Sequence, residues 1–177
     1  MRVMIVIGLF AGVSATAALG GEGPAKPPEL KVLEKFVGTW DAESVSKPAV
    51  WTRQEVRAKY VEVRELVLDG WFVESKGRAA DGKVDSTSWM MTYDLARREY
   101  REWLFVTGGF SIQWSGQWDE ATKTFSFTGD AGHGITSKLT AHFIDKDHIE
   151  FRIIATDSDG KVYQDMNGRL TRRVDKR

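Results

Sequence analysis

The chain has 177 residues, of which 42% are hydrophobic, and its 25 Lys and Arg residues balance 25 Asp and Glu residues. This composition excludes a disordered chain, and the balanced charge gives no electrostatic reason for binding nucleic acid or an anionic membrane surface. The chain contains no cysteine, so neither disulfides nor thiolate zinc sites form and stability depends on one apolar core.

The N-terminal residues are typical of a secretory signal peptide. Arg2 is followed by an apolar run from Val3 to Leu19, and then by a polar stretch rich in glycine and proline. Small residues offer cleavage sites after Ala17 and after Gly20, of which we favour the second. An uncleaved membrane anchor is the alternative, although the run is short for a bilayer core.

This interpretation divides the chain and predicts its compartment. We expect an exported protein, periplasmic or secreted, that does not contact a membrane after signal cleavage. The predicted segments are a signal peptide at 1–20, a linker at 21–28, a single barrel domain at 29–174 and a tail at 175–177.

A short amphipathic helix is predicted over residues 29–36, directly after Pro28, a residue suited to a helix start. It places Leu30, Leu33 and Phe36 on one stripe, and Gly38 ends it. From Thr39 onward the apolar period changes from 3.6 to 2, which indicates strands.

Turn chemistry and alternation fix the register of three predicted hairpins. A two-residue Asp69-Gly70 turn sets Leu68 opposite Trp71 and Leu66 opposite Val73. A hairpin from Phe110 to Phe127 and a three-residue loop at residues 145–147 each keep the large apolar side chains on one face. Further turns are expected at 81–82 and at 159–160. The hairpin containing residues 89–93 and 100–106 has apolar groups on both faces, so its register stays ambiguous.

The predicted fold class is all-β, with about ten sequentially connected antiparallel strands after the short helix. This spacing is typical of a sandwich or a barrel. We favour a closed up-and-down barrel, because closure gathers many large side chains into one interior and removes sheet edges.

Four segments carry a resemblance to known proteins. The helix leading into Gly38-Thr39-Trp40 is similar to the opening of calycin barrels, the superfamily that includes the lipocalins. The other three segments are Met91–Asp94 with Tyr100 and Trp103, then Ser115–Phe125, and finally Asn167–Arg173. Together they resemble the bacterial family catalogued as domain of unknown function 1579, over roughly residues 30–173.

The resemblance implies a calycin-like barrel and no particular activity. In lipocalins the Gly-x-Trp tryptophan packs at the closed end of the barrel under an arginine of the last strand. By this resemblance Trp40 takes the first role, and either Arg169 or Arg172 takes the second through a cation–π contact.

Large aromatic side chains on several strands predict an interior site for a small apolar or aromatic molecule. Side chains alone can fill a small barrel, so a cavity and a solid core both remain open. The candidate ligand-binding residues, including one loop histidine, are Trp89, Tyr93, Trp103, Phe110, Trp114, Trp118, Phe125, Phe127 and His133.

The three histidines argue against a metal or haem site. In the predicted register His142 and His148 share the outer, polar face with Glu150, which is typical of solvated side chains. A related barrel family that resembles nitrobindin binds haem through a strand histidine. Here only His133, in a glycine-rich loop expected at the barrel mouth, is placed for such a contact. We predict no metal and no cofactor.

No motif for a nucleophile with its base, for paired carboxylates or for a phosphate loop occurs in the sequence. Asp94, beside Tyr93, is a candidate acid or base, but an aspartate at a strand end more often accepts hydrogen bonds from the backbone of its own turn.

We therefore predict no catalytic residues and an exported barrel that binds a small apolar or aromatic ligand. The alternatives are a barrel-mouth lyase, isomerase or hydrolase, and an envelope interaction module with a filled core. The sequence does not indicate the oligomeric state.

Overall fold

The computed structural model describes residues 25–80 and 86–174. Helix α1 spans Leu30–Leu33 and continues as a 3-10 turn at Glu34–Phe36. The ten strands within the described residues are β1 Gly38–Ser46, β2 Val56–Val67, β3 Phe72–Ala79, β4 Ser86–Asp94, β5 Glu99–Val106, β6 Phe110–Asp119, β7 Thr124–Asp130, β8 Thr136–Phe143, β9 His148–Thr156 and β10 Val162–Arg172.

The predicted signal peptide and C-terminal tail, together with the turn expected at 81–82, lie outside the described residues. Residues 25–28 of the predicted linker form neither helix nor strand. Among the described residues, no helix has the length and apolar character that a membrane span requires.

The sheet is a closed antiparallel barrel. Each strand pairs with its neighbours in the chain, and β1 also pairs with β10. Of the two architectures that the strand spacing allowed, the structure therefore shows the barrel. Because the ladder is continuous, none of its ten strands leaves a free row of backbone donors and acceptors.

The hairpin registers predicted from the Asp69-Gly70 turn and from alternation are confirmed. Three pairs of opposite residues mark them: Leu66 with Val73, Trp118 with Phe125, and Phe143 with Ile149. At the first turn, Asp69 and Gly70 have φ values of 55° and 74°, as a two-residue type I′ turn requires. Since side chains alternate between the two faces, each pair determines which residues of both strands point into the barrel.

The structure resolves the register that the sequence left ambiguous. Tyr93 pairs with Tyr100, and Trp89 pairs with Leu104. The odd-numbered residues of β4 and the even-numbered residues of β5 therefore face inward, which places Trp103 on the outer surface.

Helix α1 and the 3-10 turn close one end of the barrel. Leu30, Leu33 and Phe36 are buried, as the predicted amphipathic stripe requires. The indole of Trp40 donates a hydrogen bond of 2.7 Å to the Phe36 carbonyl oxygen, and the hydroxyl of Tyr100 donates one of 2.9 Å to that of Glu29. These bonds attach the helical segment to β1 and β5.

The arginine that covers Trp40 is Arg172. Its guanidinium lies 4.1 Å from the centroid of the Trp40 ring, and it donates hydrogen bonds to the carbonyl oxygens of Val37, Lys35 and Lys146. Arg169 instead points outward. There it pairs with Glu150 at 2.6 Å.

Glycine permits a close approach of two strands below the cavity. A Cβ atom at Gly116 would lie 2.0 Å from the carbonyl oxygen of Ser126 and 2.7 Å from the ring of Phe127. The backbone and ring of β7 therefore occupy the space that a side chain at position 116 would need, so the position requires glycine.

Candidate functional site

The barrel encloses a cavity of about 450 Å³. Most of its wall consists of inward-facing side chains from the strands, and Phe36 of the 3-10 turn also lines it. Apolar contributors from different parts of the barrel include Ala42, Met91, Leu139, Phe151 and Met166. The interior is therefore partly empty, and the filled core that the sequence left open is not what the structure shows.

The cavity extends to the barrel end opposite the helix. Trp51 in the β1–β2 loop, Phe110 at the start of β6 and Ala131 in the β7–β8 loop all line it. Trp51 is 45% exposed and Phe110 is 46% exposed, so both aromatic side chains contact solvent as well as the cavity. They form an apolar rim at this end.

Three of the predicted aromatic residues line the cavity, namely Trp89, Phe110 and Trp114. Trp114 is buried, and its indole N–H donates a hydrogen bond of 3.1 Å to the Ser137 hydroxyl. That bond satisfies the polar edge of the indole, so the ring presents mainly apolar surface to the cavity.

Four other predicted residues point inward but pack beneath the cavity. Trp118 and Phe125 have ring centroids 4.7 Å apart, and Phe125 stacks on Phe127 at 5.5 Å. Tyr93 packs against Tyr100 at 5.0 Å. These rings form an aromatic layer between the helical segment and the cavity. None of the four side chains lines the cavity.

Two predicted ligand-binding residues lie elsewhere. Trp103 is on the outer face, where the Arg101 guanidinium lies 5.0 Å from its ring centroid. The prediction for Trp103 followed its size, because large side chains occur on both faces of that strand. His133 is in the β7–β8 loop at the open end, as expected, but it is exposed and does not line the cavity.

The remaining histidines and Asp94 occupy structural positions. His142 lies opposite Glu150 on the outer face, and the His148 ring nitrogen Nδ1 is 2.9 Å from Asp145. The Asp94 carboxylate accepts hydrogen bonds from the backbone N–H groups of Ala96 and Arg97. These bonds lower the Asp94 pKa and hold the carboxylate in the β4–β5 turn.

Sequence reasoning missed a polar cluster inside the barrel. On β2, Arg64 donates hydrogen bonds to one carboxylate oxygen of Glu62, at 2.7 Å from Nη2 and 3.1 Å from Nε. The Ser75 hydroxyl donates to the same oxygen at 3.3 Å. The sequence did contain the relevant pattern. Glu62 and Arg64 are even-numbered residues of β2, like Leu66, and therefore share its inward-facing side.

Three aromatic rings surround the Arg64 guanidinium. Its central carbon lies 4.8 Å from the ring centroid of Trp89, 5.4 Å from that of Phe36 and 5.5 Å from that of Trp40. The side chain is 4% exposed, and its Nη1 atom has no hydrogen-bond partner. The ring faces and the Glu62 carboxylate together balance its positive charge.

Glu102 is the second polar feature that the sequence did not identify. It lies on β5 between Met91 of β4 and Trp114 of β6, is 9% exposed and lines the cavity. Burial raises the pKa of its carboxyl group to about 8; Arg64 opposes this shift and Glu62 adds to it. The ambiguous register of β4 and β5 hid its inward orientation.

Within the described part of the chain, no group of three or more His, Cys, Asp or Glu side chains is arranged to hold a metal ion. The cavity has a mainly apolar and aromatic wall, and Glu62, Arg64 and Glu102 form its charged, polar side. The other polar side chains in the wall are Ser44, Tyr60, Thr87, Ser137 and Gln164. Such a site can enclose a small molecule and orient it by a single polar group.

An antiparallel barrel closed at one end by a short helix, with Gly38-Thr39-Trp40 opening its first strand and a cavity inside, defines a calycin-like barrel protein. Within that class, the chain belongs to the family described as protein of unknown function DUF1579, whose sequence profile matches residues 26–172. A comparison with curated proteins found no match.

Solved structures share the fold at low sequence identity. Rv2717c from M. tuberculosis is 16% identical with a TM-score of 0.62, and the match covers 85% of this chain and 100% of that protein. The S-type phycobiliprotein lyase CPES from Guillardia theta is 14% identical with a TM-score of 0.56, and the match covers 82% of this chain and 93% of the lyase. At these identities the likeness extends to the fold alone.

Proposed function

We propose that this protein binds a small, mainly apolar or aromatic molecule inside its barrel without converting it. The observation that carries the proposal is the interior cavity of about 450 Å³, because ligand pockets in proteins commonly span roughly 300–1,000 Å³. An apolar rim containing Trp51 and Phe110 gives such a molecule a route from solvent to the interior.

The chemistry of the wall favours a flat apolar ligand. Trp89 and Trp114 offer rigid aromatic surfaces, whereas Met91 and Met166 provide flexible side chains that adapt to an irregular outline. Burying apolar surface against such a wall contributes about 25 cal/mol for each Å² removed from water.

Binding fits the arrangement better than catalysis at the barrel mouth. Asp94, which ends β4, and His133, in the β7–β8 loop, lie at opposite ends of the barrel. Moreover, the Asp94 carboxylate is already bound by its own turn. An interaction module with a filled core is equally disfavoured, because the core contains the cavity.

The apolar N-terminal run adds a second element to the proposal. We propose that the protein acts after export, in the periplasm or outside the cell. N-terminal sequencing of the protein from its natural source tests this element, and a mature protein that begins near residue 21 is the expected result. Retention of Met1 would contradict a cleaved signal peptide.

A dye-binding experiment tests the binding proposal. Nile red, a neutral apolar dye, is expected to fluoresce on binding to the wild-type protein. Ala141→Phe introduces a ring into the cavity and should abolish the signal. Thr140→Phe adds the same ring one residue away on the outer face of β8, so it should leave the signal unchanged.

Native mass spectrometry of protein purified without denaturant provides an independent test. A co-purified small molecule that is lost in Ala141→Phe and retained in Thr140→Phe supports an interior site. If the purified wild-type protein contains no such molecule and also fails to bind Nile red, the binding proposal is wrong.

A further inference from the structure

We infer that the ligand of this cavity carries a basic nitrogen, and that it binds as a cation with this nitrogen against the Glu102 carboxylate. The inference rests on the proposed ligand-binding function and specifies the chemistry of the molecule that is bound. It follows from the surroundings of Glu102, from the charges that line the cavity and from the position of Arg64.

Glu102 is a buried carboxyl group that faces empty space. Its side chain is 9% exposed and lines the cavity. Its cross-strand neighbours Met91 and Trp114 carry no charge, and no described residue forms a hydrogen bond or an ion pair with it. A buried carboxyl group without a partner is costly, so a ligand that provides one is favoured.

The charges along the described cavity wall leave one carboxyl group without a cation. Besides the phenol of Tyr60, the ionisable side chains there are Glu62, Arg64 and Glu102. Arg64 binds Glu62 with Nη2 and Oε2 2.7 Å apart. This pair is neutral as a unit, so an ionised Glu102 requires a positive charge from the ligand.

Arg64 is poorly placed to attract an anionic ligand instead. It is 4% exposed, and the rings of Trp89 and Phe36 lie against its guanidinium group, so much of its surface is covered. An anion beside it would also meet the Glu62 carboxylate, which already pairs with the Arg64 charge. Adding a further negative charge to this buried cluster is unfavourable.

The protonation state of Glu102 provides a specific signature. Burial raises its pKa to about 8, so in the empty barrel the carboxyl group is largely protonated at pH 7. When a cationic ligand binds, the carboxyl group ionises against it and its proton leaves to solvent. Trp114, directly across the ladder from Glu102, also lines this part of the cavity, and an aromatic ring favours a nearby cation.

The experiment compares three probes that share a naphthyl group, namely naphthylmethylamine, naphthylmethanol and naphthylacetic acid. Isothermal titration calorimetry at pH 7 measures the affinity of each, and buffers with different ionisation enthalpies reveal how many protons are released. The wild-type amine affinity is expected to exceed the alcohol affinity by about tenfold or more, because the ion pair adds a charge-assisted hydrogen bond. Binding of the amine should release close to one proton.

Glu102→Gln keeps the shape of the side chain but removes its charge. In this variant the amine and the alcohol should bind with similar affinity, and proton release should disappear. Glu150→Gln, on the outer face, is the matched control and should behave as the wild type does. The proton release of the wild-type protein tests the inference even if Glu102→Gln does not fold.

The outcomes separate this inference from the function on which it rests. Equal wild-type affinities for amine and alcohol, or tighter binding of the acid, overturn the inference and leave the proposed binding function intact. The same conclusion follows if Nile red binds while none of the three probes does. If neither Nile red nor any probe binds, both the inference and the proposed function are wrong.

Discussion

Arg172, on the last strand, covers the indole of Trp40, on the first strand, with 4.1 Å between its guanidinium carbon and the ring centroid. The two residues also pair directly across the ladder that closes the barrel. The same guanidinium donates hydrogen bonds to the carbonyl oxygens of Lys35 and Lys146. One side chain therefore connects the first strand, the helical segment and the β8–β9 loop.

We predict that Arg172→Ala lowers the free energy of unfolding by about 2–3 kcal/mol, because it removes a cation–π contact and several hydrogen bonds. Arg169→Ala is the matched control and removes one exposed ion pair with Glu150. Its cost should stay below about 1 kcal/mol. Urea unfolding followed by tryptophan fluorescence measures both values, and equal costs would contradict the assigned role of Arg172.

Close packing at Gly116 gives a second prediction. Gly116→Ala is expected to lower the free energy of unfolding by about 2–3 kcal/mol, because the added Cβ meets the backbone oxygen of Ser126 at 2.0 Å. At Gly77 the nearest atom is the Thr87 hydroxyl oxygen, at 2.4 Å, which can rotate away. Gly77→Ala should therefore cost less, and chemical denaturation compares the two variants.

The orientations of two tryptophans give a third prediction. Trp89 is 7% exposed inside the barrel, whereas Trp103 lies on the outer face. We expect Trp89→Ala to cost about 3–5 kcal/mol of unfolding free energy, as for other buried large-to-small substitutions. Trp103→Ala, which loses the contact with Arg101, should cost about 1–2 kcal/mol. Thermal and urea unfolding test this order, and the reverse order would contradict the register of β4 and β5.

The pH dependence of stability should reveal Glu102 in the protein without ligand. Its folded-state pKa of about 8 exceeds the ordinary value of 4.5, so between these values the folded state binds more protons than the unfolded state. The stabilisation is therefore complete below about pH 4.5 and is lost as pH rises through 8. Glu62 and Arg64 are the charged groups that face it.

Glu102→Gln cannot titrate at this position, so it should lack this loss. We expect the variant to gain stability relative to the wild type on going from pH 5 to pH 9, by on the order of 2–4 kcal/mol. Urea unfolding at a series of pH values measures the difference. Parallel curves for the two proteins would show that Glu102 keeps an ordinary pKa.

The barrel wall was predictable wherever one face of a strand is apolar and the other polar. The two-residue Asp69-Gly70 turn gave the pairing of Leu66 with Val73. Alternation gave that of Phe143 with Ile149, because a slip of one residue would expose a whole apolar set. The same reasoning failed for Trp103, since both faces of its strand carry large apolar side chains.

The polar side of the cavity was not predictable from hydrophobicity. Arg64 is buried because Glu62 and three aromatic rings balance its charge, and those partners become neighbours only when the barrel closes. A pattern of apolar residues does not show which buried charges will be balanced by partners in the folded protein. The alternation of faces along β2 was visible in the sequence. Without knowledge of these partners, however, there was no reason to expect a charged side chain to point inward.

The ladder between β1 and β10 has a consequence for folding kinetics. Within the described barrel, the other ladders join strands that are consecutive in the chain. This ladder instead pairs residues as far apart as Trp40 and Arg172, which are 132 positions apart (172 − 40). Its closure entropy is therefore the largest, and we expect it to form late, after the hairpins. Substitutions along this seam should accelerate unfolding more than they slow refolding.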